Sequence, residues 1–359
     1  MNYLLPIQYQ KININFVHKL FKGNQTTIMA QLKLKICILA AAYNEGENLL
    51  VFYNAVKKVV SDLPYNFEFC FVNDGSQDNT LATIRSLARQ DETVKYLSFS
   101  RNFGQQIALK AGIDSIDADA IVMMDSDLQH PPEMIKDLID IWQTKNVNMV
   151  NTLRDVDEDL SWFKKQSSKR FYQLINKVSE LNLEPGQADF RLIDRQVTQM
   201  LKQTKEQDVF LRGMIQWIGF AQATFRYKAN KRFAGKSKYT FSKMFQLALA
   251  GITSFSVKPL YTAIYIGFFF ASLSLLYIPY VIYTFIMGTF IDGWASLLVT
   301  VAFFGGLNLI VMGVLGIYIG KILIQNKERP LYIIQEQNVN LHADSSFNKK
   351  INPSLLALK

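Results

Sequence analysis

The chain has 359 residues, of which 49% are hydrophobic, 13% aromatic and 19% charged, and its formal net charge is +9. That apolar content with only 9 prolines excludes a disordered or fibrous chain. Two cysteines exclude a disulfide scaffold, and three histidines without a Cys/His cluster argue against structural zinc.

The first 28 residues lack the compact apolar core of a signal peptide. Met29 opens the segment MAQLKLKICILA, so residues 1–31 are expected to be an N-terminal extension with the true start at Met29. Leu34–Ala42 is continuously apolar, the character of a parallel strand buried on both faces. Leu49, Phe52, Val56 and Val59 follow at helical spacing. Phe67–Val72 reads as a second strand, and Leu81, Ile84, Leu87 and Ala88 mark a second helix. Val94–Phe99 is a third strand, Gln105–Ile116 a helix, and Ala120–Met124 a fourth strand. Pro131 and Pro132 suit the first turn of a helix whose apolar face is Met134, Ile135, Leu138, Ile141 and Trp142. Val147–Asn151 is a fifth strand candidate. Cys37 and Cys70 fall in the strand-like runs and read as reduced core thiols. The alternation predicts an α/β fold, a mostly parallel sheet with helices on both faces.

In such a sheet, ligands bind beyond the carboxyl ends of the strands. Those ends carry Tyr43-Asn44-Glu45, then Asn73-Asp74-Gly75-Ser76, then Asp125-Ser126-Asp127-Leu128-Gln129. Three strands therefore deliver carboxylates to one edge, whereas Asp78 reads as a turn or helix-cap residue. No G-x-G-x-x-G follows the first strand and no G-x-x-x-x-G-K-[ST] exists, which excludes the usual phosphate cradles. Carboxylates without such a cradle suggest Mg²⁺ or Mn²⁺ between protein and a diphosphate.

Leu160–Ser179 sets Lys164, Lys165, Lys169, Arg170 and Lys177 among Trp162, Phe163, Phe171, Tyr172, Leu174 and Ile175. That pattern suits an amphipathic helix in a lipid headgroup layer, about residues 160–179; a solvated helix packed on its own domain is the alternative. Residues 240–258 are a second, juxtamembrane amphipathic candidate. From Pro259 to Gly320 there is no Lys or Arg, and Asp292 is the only charge. Spanning a bilayer takes about 20 apolar residues, and residues 260–287 and 294–319 each supply that length. A transmembrane hairpin over 259–322 is expected, turning at GTFIDG. Lys243 and Lys258 precede it, and Lys321, Lys327 and Arg329 follow. The positive-inside rule puts both ends in the cytoplasm, with 323–359 a cytoplasmic tail, mobile after Gln335. The basic excess is thereby assigned to the membrane surface rather than to nucleic acid. Gly305, Gly306, Gly313, Gly316 and Gly320 permit close helix contact within or between chains.

The segments ILAAAYNEGENL, FCFVNDGSQDNT, SRNFGQQIALKAG and DAIVMMDSDLQHPPE occur in the order seen in family 2 glycosyltransferases of the GT-A fold. With QADFRLIDR, RGMIQWIGF, RFAGKSKYTF and the hairpin, the chain resembles the polyprenyl-phosphate glycosyltransferases of the bactoprenol glucosyltransferase type, and more distantly dolichol-phosphate mannose synthase. The resemblance covers about residues 34–335. It implies a cytoplasmic GT-A catalytic domain over 32–239, and inverting, metal-dependent transfer of a hexose from a nucleotide-sugar, best matched by UDP-glucose, to a polyprenyl phosphate such as undecaprenyl phosphate. GDP-mannose, a UDP-N-acetylhexosamine or an aminoarabinose donor stay open, and so does a non-catalytic membrane scaffold.

Residue by residue, the resemblance places Ala41, Tyr43, Glu45, Asp74, Asp125, Ser126, Asp127 and Arg154 around the nucleotide-sugar, with Arg232 and Lys238 from the basic R-x-x-G-x-S-K segment. It makes Asp127 and Gln129 ligands of Mg²⁺ or Mn²⁺. Asp127, Asp189 and Arg191 stand at the reaction centre, Asp189 as a base or as an orienting group. Lys164, Ser168 and Arg170 face the lipid phosphate. A homo-oligomer is implied, with a tetramer as the suggested size. Ala41 replaces a common proline, Asn73 a common aspartate, Gln105 a common lysine and Lys164 a common arginine.

Overall fold

The computed structural model describes residues 33–154, 176, 186–227, 253, 256–288 and 293–339. Eight strands form one sheet: β1 (Lys35–Ala42), β2 (Asn66–Asn73), β3 (Val94–Phe99), β4 (Ala120–Met123), β5 (Met149–Arg154), β6 (Gln187–Asp194), β7 (Gln222–Tyr227) and β8 (Ile334–Gln337). The helices are α1 (Gly46–Val60), α2 (Thr80–Gln90), α3 (Gln105–Ser115), α4 (Met134–Lys145), α5 (Arg195–Gln203), α6 (Leu211–Ile218), α7 (Lys258–Ile286) and α8 (Trp294–Asn326).

The strand order is β7-β5-β6-β4-β1-β2-β3-β8. β1 pairs in parallel with β2 and β4, β2 with β3, and β5 with β7. β6 runs antiparallel between β4 and β5, and β8 antiparallel along β3. The expected mostly parallel sheet is present, but β6, β7 and β8 lie outside the strands read from apolar runs. The fifth strand begins and ends later than expected, at Met149–Arg154. The segment just after Gln335 is not a loose tail. Glu336 and Gln337 belong to β8, and Asn338 Oδ1 accepts from Tyr96 N at 2.6 Å. The expectation of a mobile tail is therefore corrected through Val339, because this short polar strand closes the open edge of β3.

Alternation along β1 builds two cores. Ile36, Ile38 and Ala40 meet Leu49, Phe52 and Val56 of α1, Ile84 of α2, and Ile135 and Leu138 of α4. Cys37 and Leu39 meet Leu109 and Ile113 of α3, Val197 and Leu201 of α5, and Met214 of α6. Both thiols are free and buried, and burial pushes the Cys70 thiol up to about 12, which keeps it unreactive.

The pairing fixes what shares an edge. The carboxyl ends of β1, β2, β3, β4, β5 and β7 point one way, and the antiparallel β6 and β8 begin at that same edge. The two long helices, α7 and α8, run antiparallel. Phe270 packs edge-on against Phe303 and Phe304 with ring centroids at 5.5 and 5.6 Å, and Tyr318 donates to the Ser256 carbonyl at 2.7 Å. α8 has 33 residues, about 50 Å of helix, and continues to Asn326, past the expected end of the second span at Ile319. Among the described residues, Phe303–Asn326 is the stretch long and apolar enough to cross a membrane, with mean hydropathy 2.1 and none of it buried.

Candidate active site at the carboxyl edge of the sheet

The loops after β1 and β2 interlock. Asn44 adopts a left-handed conformation, φ 55°, which asparagine tolerates better than most residues. From it the Asn44 amide donates to Ser76 Oγ at 3.0 Å, and Asn44 Oδ1 accepts from Gln77 N at 2.9 Å. Glu45 precedes α1; its side chain accepts from Asn48 Nδ2 at 2.6 Å. Asp78 accepts from Thr80 N at 3.0 Å and Gly46 N at 3.2 Å, the turn role expected of it.

Asp74 is buried, and its carboxylate is committed within the protein. It accepts from Phe103 N at 2.7 Å, Gly104 N at 2.9 Å and Asn102 Nδ2 at 2.9 Å. Burial pushes its carboxyl above the usual range, against the pull of those two amides and of Arg101. Gly75, at φ 64°, lets the two loops touch, because a Cβ there would stand 2.3 Å from the Arg101 carbonyl carbon. Asp74 thus shapes the edge by pinning the β3–α3 loop.

β4 ends at Met123, so Asp125 and Asp127 sit in the loop beyond it and their carboxylates take different partners. Asp125 accepts from Gln105 Nε2 at 2.7 Å and meets His130 Nε2 at 3.1 Å. His130 is buried, stacks on Phe190 with centroids at 4.9 Å, and its Nδ1 lies 2.6 Å from the Tyr227 hydroxyl. A carboxylate only accepts, so Nε2 carries the hydrogen, and in the neutral ring Nδ1 accepts from Tyr227. Burial pushes Tyr227 up to about 12, opposed by Arg154 and helped by Asp125 and Asp127, so it stays a hydroxyl. Asp127 is buried and accepts from Gln129 N at 3.1 Å, with Leu128 between them at φ 59°. A branched residue there is strained. Ser126 Oγ reaches the Ala41 carbonyl at 3.4 Å, placing the end of β1 beside this loop.

Asp189 and Arg191 alternate on β6, with Arg191 opposite Met123 of β4 and Asn151 of β5. Arg212, in the first turn of α6, grips Asp189 side-on: Nε to Oδ1 at 2.7 Å and Nη2 to Oδ2 at 3.0 Å. Gln106 Nε2 adds a contact at 3.3 Å, and Arg191 Nη2 stands 3.6 Å away. Burial alone raises the carboxyl, but Arg212, Arg191 and Gln106 outweigh it and hold Asp189 at about 2. Burial brings Arg191 down to about 10 despite Asp189. Arg191 Nη2 donates to the Ala188 carbonyl at 2.8 Å, so Arg191 braces the start of its own strand.

One edge therefore gathers Ala41, Tyr43, Glu45, Asp74, Asp125, Ser126, Asp127, Gln129, Arg154, Asp189 and Arg191. Lys164, Ser168, Arg170, Arg232 and Lys238 lie outside the described residues, as does nearly all of 160–179 and 240–258. Gln106, His130, Arg212 and Tyr227 join the site without having been singled out by its motifs, and Gln105 joins it although its motif position marked only a departure. Local hints existed for three of them: Gln106 lies in SRNFGQQIALKAG, Arg212 opens RGMIQWIGF and His130 follows Gln129; Tyr227, 97 residues from His130, had none. Among the described residues no three His, Cys, Asp or Glu side chains form a metal cage.

A family model described as Glycosyl transferase family 2 matches residues 37–201. The bactoprenol glucosyl transferase of Shigella phage SfV is 42% identical over 305 residues, 85% of this chain and 99% of that protein. The uncharacterized glycosyltransferase YkcC of Bacillus subtilis is 38% identical over 316 residues, 87% of this chain and 98% of that one. Among solved structures, mannosyl-3-phosphoglycerate synthase from Rubrobacter xylanophilus matches with a TM-score of 0.45 and 12% identity, covering 64% of this chain and 74% of that chain.

Proposed function

The chain belongs to glycosyl transferase family 2, and from that membership we propose that it moves a hexose from a nucleotide-sugar to a polyprenyl phosphate at the inner face of the cytoplasmic membrane. UDP-glucose is the proposed donor and undecaprenyl phosphate the proposed acceptor. The observation that carries this reading is the joining of one acidic sheet edge to two long apolar helices in a single chain.

The donor set suits a hard divalent cation. Asp127 and Gln129 offer a carboxylate and an amide oxygen on one strained loop. Mg²⁺ is held by one or two protein carboxylates plus substrate phosphates rather than by a full protein cage. When bound, Mg²⁺ or Mn²⁺ supplies charge neutralisation at the diphosphate.

Asp127 and Gln129 fix the diphosphate end of the donor. Asp125, clamped by Gln105 and His130, faces the donor with its oxygens already oriented. Tyr43, Glu45 and the loop pinned by Asp74 flank the nucleoside. Lys164, Ser168 and Arg170 hold the acceptor phosphate, and Arg232 and Lys238 offset charge on the leaving diphosphate. A phosphate oxygen of the acceptor attacks C1 of the sugar. The new O–C1 bond forms as the C1–O bond to the diphosphate breaks, and the diphosphate leaves with the electron pair. One displacement inverts the anomeric centre. The nucleophile is an anion at neutral pH and needs no strong base; Asp189, held ionised, orients groups at the reaction centre. Electrostatic stabilisation of the leaving group is the main catalytic contribution.

α7 and α8 are proposed as two spans. Lys258 stands at the start of one, Lys321, Lys327 and Arg329 at the end of the other, and the connection between them carries no basic residue. That asymmetry supports a cytoplasmic catalytic domain and cytoplasmic termini. A homo-oligomer belongs to the same proposal, and a mass measurement in detergent checks it.

The test incubates membranes containing the protein with a panel of radiolabelled nucleotide-sugars and undecaprenyl phosphate, then extracts with organic solvent. Label from UDP-glucose in the organic phase is expected. Label released as long water-soluble glycan contradicts the acceptor assignment.

A further inference from the structure

We propose that Arg212 is a positioning residue of the reaction centre: it acts through Asp189, fixing that carboxylate as an oriented anion that does not exchange protons during transfer. The proposal rests on the glycosyl-transfer reading above and adds a residue and a role to it.

Three elements converge on Asp189, α6 through Arg212, α3 through Gln106 and β6 through Arg191. Among the described residues, Arg212 alone meets both carboxylate oxygens at hydrogen-bond distance, 2.7 and 3.0 Å. A planar guanidinium in this side-on arrangement sets the rotation of the carboxylate as well as its charge. Arg191 cannot substitute, because its nearest nitrogen is 3.6 Å away and already donates to the Ala188 carbonyl. Gln106 secures the same helix from the other side: its Nε2 reaches Asp189 while its Oε1 accepts from Leu211 N at 3.2 Å. The placement of Arg212 is thus set by the start of α6, one residue after that bond. Arg212 is also the outermost of the three, its side chain 26% exposed against 8% for Asp189 and 1% for Arg191. The depressed carboxyl of Asp189 agrees with this geometry, since the paired guanidinium is what overcomes burial.

Arg212→Met, Arg212→Lys and Asp189→Asn are compared with the wild type in detergent or membranes, reading kcat and the donor KM across pH, with thermal unfolding alongside. Transfer by the wild type establishes the reading on which the proposal rests, and its absence overturns that reading instead. Given transfer, Arg212→Met is expected to lower kcat about tenfold to a hundredfold, the scale of a misplaced reacting group, with the donor KM nearly unchanged. Its acid limb of kcat is expected to move to higher pH, because Asp189 loses its main counter-charge. Arg212→Lys keeps the charge without the fork and is expected to fall between, with the acid limb close to wild type. A kcat loss in Arg212→Met with an unmoved pH profile and a matching fall in thermal stability assigns Arg212 a structural role only and overturns the proposal. If Arg212→Met does not fold, wild-type kcat in Arg212→Lys overturns it equally, because the fork is then unnecessary.

Discussion

Lys321 Nζ lies 2.6 Å from Asp208 Oδ2, joining the last turns of α8 to the loop that leads into α6. Gln325 reinforces the joint, accepting from Gln207 N and donating to the Lys205 carbonyl, each at 2.9 Å, and Gln207 Nε2 reaches the Arg329 carbonyl at 2.7 Å. The long helix is therefore seated on the same segment that delivers Arg212 to Asp189. The ion pair is partly exposed and is worth about 1 kcal/mol or less. The two Gln325 hydrogen bonds to backbone contribute about 1 kcal/mol each. Thermal unfolding in detergent is expected to rank Gln325→Ala as more destabilising than Lys321→Ala; the reverse order contradicts a seat made by backbone contacts.

Asp74→Ala is expected to destabilise the protein by about 2 to 3 kcal/mol, because it strands the amides of Phe103 and Gly104 that a carboxylate had satisfied. Nucleotide binding, measured by calorimetry, is expected to weaken with it, as the β3–α3 loop loses its tie. A variant with unchanged melting and weakened binding places Asp74 on the ligand instead.

His130→Ala removes the bridge between Asp125 and Tyr227 and leaves the buried Tyr227 hydroxyl without its ring partner. Without that bridge the Asp125 carboxylate is free to turn, and transfer is expected to fall roughly tenfold to a hundredfold, the scale of a misplaced group. His130→Gln, which can still bridge, is expected to recover part of it. Equal activity in both variants excludes an orienting role.

The pH dependence follows from Asp189. Its carboxyl is depressed from 3.8 to about 2 in the folded state. The stability it contributes is complete above the unfolded value and is lost as pH falls through the folded one. Between about pH 5 and pH 8 Asp189 stays ionised, and the wild-type kcat profile there is expected to show no limb that Asp189→Asn abolishes. A limb near neutrality that disappears in Asp189→Asn assigns it the role of a base.

Membrane orientation has a direct test, helped by the burial of the native thiols. Cys37 and Cys70 both carry raised thiol pKa values and sit within the sheet. A membrane-impermeant maleimide is expected to label Asp292→Cys in intact cells and Lys327→Cys only after permeabilisation. The opposite pattern inverts the proposed topology.

The first four strands were readable because both of their faces are buried, which leaves an unbroken apolar run such as ICILA in β1. β8, IQEQ, is a four-residue edge strand with no such signal, and its pairing with β3 depends on residues hundreds of positions apart. β6 was visible as the motif QADFRLID but not as a strand, since Asp189 and Arg191 interrupt its buried face with charge. The carboxylates at the strand ends were legible from their position alone. What each is bonded to was not. Asp78 read as a turn residue and caps its own turn, but nothing local to Asp74 showed that it pins a distant loop. The Asp125–His130–Tyr227 chain and the Arg212 fork arise from tertiary packing, which leaves no periodicity to detect.

Asp127, at the acidic edge, is proposed to support metal-assisted transfer of a sugar to a lipid phosphate. The rate of label transfer from UDP-glucose into the organic phase by Asp127→Asn and wild type, each with Mg²⁺ or Mn²⁺ and with a chelator, decides whether it does. Wild-type transfer that the chelator abolishes, and a loss of about a hundredfold or more in Asp127→Asn, is the predicted result. Near-normal transfer by Asp127→Asn, or wild-type transfer indifferent to the chelator, would contradict it.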